Sequence, residues 1–241
     1  MKYVGSKLRH AKEMVPIITR GRKSGQCYVE PFVGGCGMMA NVQGGPKIGN
    51  DTHGHLIAMW KAVQGGWVPP SKVSESLYQE CKSMKEGAPD PLVGFVGFAC
   101  SFGGKWFGGY ARGKAANGSD RNYADEGSRG TMKKAINLND VDFLNVSYDQ
   151  FPVPPNSIIY CDPPYSKTTR YASGEFDSRK FWTWCEKMVN EGHRVFVSEY
   201  VAPDPWISIY EKKVNSSLDR NTGGKQGVEK LFSHPSNGYN E

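Results

Sequence analysis

Two hydrophobic patterns alternate along this chain. Short apolar runs closed by glycine, proline or an acidic residue predict buried strands at 26–31, 47–51, 142–147, 157–161 and 194–198. Between them, apolar residues recur at three- and four-residue spacing and predict helices. Leu8, Ala11, Met14, Val15 and Ile18 form one such stripe, with Pro16 set to kink or end it. Leu56, Ile57, Met59, Trp60 and Val63 form a second, and Phe181, Trp184, Cys185, Met188 and Val189 a third within 178–190, which Gly192 stops. Two further helical stretches are expected at 71–84 and 90–101, and two β-like runs between Trp206 and Phe232. Strands alternating with helices imply an α/β fold on a largely parallel sheet.

One strand ends in unusual chemistry. Ser157-Ile158-Ile159-Tyr160-Cys161 runs into Asp162-Pro163-Pro164-Tyr165. Neither proline can donate to a ladder, so the strand stops and Asp162 stands at its carboxyl end, where open α/β sheets bind ligands. The Asp162 carboxylate and the Pro163 carbonyl are both acceptors, a pair suited to the two N–H donors of an exocyclic amino group. Tyr165 offers a ring on which a flipped base could stack. Taken alone, the tetrapeptide reads equally well as a strand-ending turn.

A second signal precedes it. The strand at 26–31 leads into Phe32-Val33-Gly34-Gly35-Cys36-Gly37 and then Met38-Met39-Ala40, expected to open a helix. Strand, glycine turn and helix bring backbone close to a nucleotide-like ligand, and the absence of a Gly-Lys-Ser/Thr ending disfavours NTP hydrolysis. Asp51 ends the next strand 17 positions after Gly34. It could accept both hydroxyls of a ribose or cap the following helix, and the two roles are compatible.

From 65 to 140 the composition shifts. Lys105, Trp106, Phe107, Tyr110 and Arg112 interleave with glycine doublets, a mixture able to follow phosphates and wedge between base steps, and the polar stretch 115–129 reads as loop. Arg220 and Lys225 flank a second basic, glycine-containing loop that could touch a phosphate backbone. The 241 residues carry a formal net charge of +6, consistent with a polyanionic partner. The six cysteines show no zinc spacing, His53 and His55 lack a third ligand nearby, and no metal is expected. No stretch approaches the ~18 apolar residues of a membrane span. A soluble, intracellular protein with reduced thiols is the expectation.

In order, Tyr-x-Gly-Ser-Lys at 3–7, Val-Glu-Pro-Phe-Val-Gly-Gly at 29–35, Gly-Asn-Asp at 49–51, the basic aromatic insertion and Asp-Pro-Pro-Tyr at 162–165 resemble the Dam-like, alpha-group S-adenosylmethionine-dependent adenine DNA methyltransferases. The resemblance spans nearly the whole chain and is weakest from 65 to 140. It implies a Rossmann-like doubly wound methyltransferase sheet, with a catalytic domain from 1–64 and 141–241 and an inserted, mainly helical target-recognition region at 65–140. It implies that Tyr3, Lys7, Phe32, Gly34, Asp51, Asp149 and Asp162 hold the cofactor S-adenosylmethionine, and that Asp162, Pro163, Pro164 and Tyr165 form the catalytic motif. One residue departs from the pattern: Cys36 stands where the family has a third glycine, a position where a positive φ would strain it.

The reaction then expected is site-specific methyl transfer to the N6 amino group of an adenine flipped out of double-stranded DNA, with no obligatory protein partner. Methylation of the cytosine N4 amino group is the nearest rival, since the donors are similar. An RNA or protein-amide target, and a DNA-binding protein whose catalysis has decayed, are the others.

Overall fold

The computed structural model describes residues 1–164, 176–215 and 226–239. A 3-10 turn at Lys7–Arg9 leads into α1 (Ala11–Ile18), β1 (Tyr28–Glu30), a 3-10 turn at Met39–Asn41, β2 (Lys47–Asn50) and α2 (Gly54–Gln64). Then come α3 (Glu75–Ser83), α4 (Pro91–Ala99), α5 (Tyr123–Ala135), β3 (Val141–Leu144), β4 (Ile158–Cys161), α6 (Ser178–Asn190), β5 (Arg194–Ser198), β6 (Ile207–Asn215) and β7 (Gln226–Ser233). The strands form one sheet in the order β3-β2-β1-β4-β5-β7-β6; the first five are parallel, and β7 lies antiparallel between β5 and β6. This is the doubly wound α/β sheet expected of a methyltransferase. The order reverses at β1 and β4, so the crevice for a ligand falls between their carboxyl ends.

Burial on both faces explains the apolar runs. Tyr28, Ile158, Tyr160 and Phe196 point into a core shared with α1, α2, α4 and α5. Val29, Ile159, Cys161, Val195 and Val197 point into a second core beneath α6, among Phe181, Trp184, Cys185 and Met188. A parallel sheet covered on both sides needs such continuous hydrophobicity. One buried polar side chain ties the strand ends together. Asn50 donates to the carbonyls of Pro31 (3.1 Å) and Val146 (2.9 Å) and accepts from the Val146 N–H at 3.1 Å, so the loops after β1, β2 and β3 hang from one amide.

Two local expectations are corrected. The turn after Cys36 does not open a long helix: only the Met39–Asn41 3-10 turn forms before Val42 extends the chain. Residues 123–129 are helix and not loop, because Asn122 caps α5 by accepting from the Asp125 N–H at 3.0 Å. The glycines that weaken α5 as a helix make room for its neighbours. A Cβ on Gly127 would lie 2.7 Å from the Ala99 Cβ, and one on Gly130 2.7 Å from the Met1 nitrogen. Pro16 sits inside α1, which ends two residues beyond it.

Residues 65–140 hold α3, α4 and α5, and their apolar side chains share the core of α2. α4 lies so close to α2 that a Cβ on Gly94 would stand 2.1 Å from the His55 carbonyl oxygen. Replacing Gly94 with alanine should therefore destabilise the fold by about 1–3 kcal/mol, the usual cost of overpacking. Helix propensity alone predicts a gain of about 1 kcal/mol. Urea denaturation decides: a midpoint that rises would refute the close backbone approach.

Candidate active site

The site grows from the ends of β1, β2 and β4. After β1, Gly34 turns the chain with φ +46 and Cys36 repeats the left-handed conformation with φ +51. For a residue with a Cβ this costs on the order of 1–2 kcal/mol, and the Cys36 side chain offsets it by complete burial. Burial also pushes its thiol well above the ordinary range, so the cysteine behaves as a small apolar residue.

Every strut of the glycine turn is held. The Gly34 N–H donates to Asp51 Oδ2 at 3.0 Å, the Trp60 indole donates to the Gly34 carbonyl at 3.0 Å, and the buried Lys134 ammonium donates to the Gly35 carbonyl. Tyr3 lies across the turn, within 2.8 Å of where a Gly34 or Gly35 Cβ would stand, and against Phe98 with ring centroids 4.9 Å apart. Any larger side chain in the turn would displace Tyr3.

Asp51 accepts from Gly34 and, through Oδ1, from the His53 N–H at 2.9 Å. It does not cap α2. That role falls to His53, whose Nδ1 accepts from the Leu56 N–H at 3.3 Å. Burial raises the Asp51 carboxyl above its usual range, while the two backbone donors pull it back. An ionised carboxylate has about four acceptor positions, so these two bonds leave Asp51 able to receive ribose hydroxyls. Burial, with His55 beside it, lowers His53 to about 4, so the capping imidazole is neutral.

Asp162 follows the last residue of β4 and meets the N-terminal segment. Lys7 Nζ lies 3.1 Å from Asp162 Oδ1 and 3.3 Å from Glu229 Oε1 of β7, with only 5% of the lysine side chain exposed. Burial opposes the charge on Lys7, but the Asp162 and Glu229 carboxylates and their hydrogen bonds outweigh it and hold the ammonium above the ordinary lysine range. Pro163 is buried, and Pro164 is half-buried.

The structure thus brings together Tyr3, Lys7, Gly34, Asp51 and Asp162. Phe32 sits to one side in an aromatic cluster, 5.3 Å from Tyr148 and 5.7 Å from Phe181 between ring centroids. Asp149 adjoins that cluster but is committed to Lys180 at 2.5 Å and to the Ser147 hydroxyl, and Lys180 holds its carboxyl below the usual range. Tyr165, Arg220 and Lys225 lie outside the described residues.

The expected DNA contacts divide. Phe107 is buried and packs on Tyr78 and Trp106, which corrects its reading as an available wedge. Trp106 stands edge-on to His53 at 4.2 Å and packs on Phe98, while Tyr110 donates its hydroxyl to the Val73 carbonyl at 2.7 Å. Lys105 and Arg112 are exposed, Arg112 paired with Glu75 at 2.5 Å. The exposed ring of this stretch is Phe102.

Three residues that the sequence did not single out matter here. Glu229 gives Lys7 its second carboxylate, and Lys134 braces the glycine turn. Glu30, the last residue of β1, is 2% exposed and accepts from the Tyr28 hydroxyl at 2.9 Å. Burial raises the Glu30 carboxyl well above its ordinary 4.5, against the Tyr28 hydrogen bond, with Asp162 raising it further and Lys134 lowering it.

Residues 3–90 match the family model of the D12 class N6 adenine-specific DNA methyltransferases. The matched span holds Tyr3, Lys7, Phe32, Gly34 and Asp51, and it bears out both the family resemblance and the enzyme class that it implies. No curated protein matches the chain. Among solved structures, tRNA (m1A58) methyltransferase TrmI from Aquifex aeolicus is similar at 9% identity and a TM-score of 0.40, over 95% of this chain and 75% of that one. SMU.472, named as a methyltransferase and complexed with SAH, is similar at 12% identity and a TM-score of 0.37, over 95% of this chain and 52% of that one.

The raised Glu30 carboxyl fixes the sign of a pH effect. Its folded form keeps the proton that the unfolded chain releases near 4.5, so the stability it contributes is present below that pH and lost as pH rises towards the folded value. Glu30→Gln has no proton to lose. Its stability relative to the parent should improve as pH rises above 4.5 in urea titrations. A difference that does not vary with pH would show that Glu30 is ionised in the fold.

Proposed function

We propose, on the premise of an N6 adenine-specific DNA methyltransferase, that this chain takes its methyl group from S-adenosylmethionine and delivers it to an adenine flipped out of duplex DNA. The observation that carries the reading is Asp162. It stands at the carboxyl end of β4, beside the glycine turn of β1, and Lys7 fixes its orientation from the N-terminal segment.

The residues of the crevice fit such a cofactor. The glycine turn gives close backbone approach, Asp51 keeps acceptor capacity for a ribose, and Phe32 offers an apolar wall on the β1 side. When bound, S-adenosylmethionine supplies an electrophilic sulfonium methyl group. Asp162 and the Pro163 carbonyl accept the two hydrogens of the adenine amino group, which turns the nitrogen lone pair out of ring conjugation. Tyr165 stacks on the extruded base. Unpairing the base costs a few kcal/mol, which stacking and the two hydrogen bonds offset. The rate then comes from positioning and from acceptors already oriented before the reaction. None of the buried cysteines is needed as a nucleophile.

The target sequence is read by groups outside this cleft. Lys105 and Arg112 present exposed cations for it, and Arg220 and Lys225 are assigned to the same role. Trp106 and Tyr110 act through the packing that shapes the 101–112 segment.

Asp162→Ala tests the assignment. Lys7 keeps Glu229 as a counter-ion in this variant, so the fold should survive. Methyl transfer from labelled cofactor to unmethylated genomic DNA should fall by at least about 10²–10³-fold, as for loss of one preorganised hydrogen-bonding group. Nucleoside mass spectrometry of the parent reaction should show N6-methyladenine. Methylcytosine would overturn the choice of base, and an undiminished rate in Asp162→Ala would overturn the mechanism.

A further inference from the structure

Outside the cleft, the surface between the N-terminal segment and α5 folds into a groove of 670 Å³. Five of its lining residues are cationic: Lys2, Arg9, Lys12, Lys133 and Lys134. Its one acid, Glu126, is paired with Arg121.

The neighbouring acids are also taken. Glu13 is held by Lys212, Asp125 by Arg129, and Asp140 by Lys47. Lys134 is buried and committed to the Gly35 carbonyl. The other four cations are exposed, and among the described residues none has a carboxylate within ion-pair distance. Lys2 is further placed by the Tyr123 ring, 5.2 Å from its ammonium. Four exposed cations thus gather on one rim without compensation.

Two features decide what such a rim attracts. The single buried cation already has its partner, so no desolvated charge converges on the floor of the groove to grip a small anion. The four exposed cations instead stand open to solvent, where the phosphates of a polyanion can reach them. The groove also shares the N-terminal segment with the cleft. In one short segment Tyr3 and Lys7 serve the active site, while Lys2, Arg9 and Lys12 line the groove.

We propose that this groove seats the phosphate backbone of duplex DNA flanking the target base. The inference rests on the DNA methyltransferase reading and adds a surface to it, distinct from the Lys105–Arg112 segment. Contacts of this kind position the duplex and carry no sequence information. The 3-10 turn that orients Lys7 towards Asp162 would then also register the DNA through Arg9.

The test is the double variant Lys12→Ala/Lys133→Ala, which alters two exposed side chains and leaves the cleft intact. Equilibrium binding to unrelated duplexes is measured across a potassium chloride titration, together with methyl transfer at saturating DNA. Each lost phosphate contact flattens log K against log salt by roughly 0.9, so the slope should become shallower by about 2. Affinity should fall equally on all sequences, with kcat unchanged. An unchanged slope in an enzyme that methylates DNA overturns the groove and leaves the reaction standing. A shallower slope in a protein that methylates no DNA keeps the groove and overturns the reaction. A loss confined to single-stranded RNA, with the duplex slope unaltered, overturns the groove.

Discussion

Lys7 is a nearly buried cation held between two carboxylates that come from distant parts of the chain. Removing an ammonium from water costs several kcal/mol, and the cost is recovered only where counter-charges are placed well. Here Asp162 and Glu229 meet that requirement, at 3.1 and 3.3 Å. The arrangement determines more than local charge. It fixes the N-terminal segment against the sheet and so lays Tyr3 over the glycine turn. It also aligns the carboxylate at the end of β4 with the crevice where the strand order reverses. The raised Glu30 carboxyl fits the same balance, since burial at the end of β1 and the nearby Asp162 both disfavour a further negative charge there.

Much of this was legible in the sequence, for reasons that can be named. The strands of a sheet covered on both faces must be apolar throughout, and their ends must be punctuated, so β1, β2, β4 and β5 stood out. The two prolines after Asp162 marked the end of β4 without ambiguity. Asp51 was visible as an acid at a strand tip, though its geometry shows that it braces the glycine turn and leaves the capping of α2 to His53.

What escaped the sequence was decided by contacts between distant segments. The first half of α5, up to Arg129, reads as loop because it is polar, yet Gly127 and Gly130 permit the close approach of α4 and the N-terminus. Phe107 reads as an exposed ring beside glycines and cations, and the structure gives it to the core. Lys134 and Glu229 carry no local signature at all: a lysine on a helix and a glutamate in a strand are ordinary surface residues until the fold buries them. Cys36 is the opposite case. It breaks the glycine pattern in sequence, but the turn takes the same left-handed shape and accepts the strain.

The position of Glu229 has a consequence for assembly. β7 reaches its place only by inserting between β5 and β6, and with it comes the second counter-ion of Lys7. Residue 7 must therefore find residues 162 and 229, a closure across almost the whole chain and among the slowest kinds of contact to form. During folding the parallel core can close while the cation at the crevice still has one carboxylate. The cleft reaches its final electrostatic state only when the terminal hairpin docks, so completion of the active site reports completion of the fold.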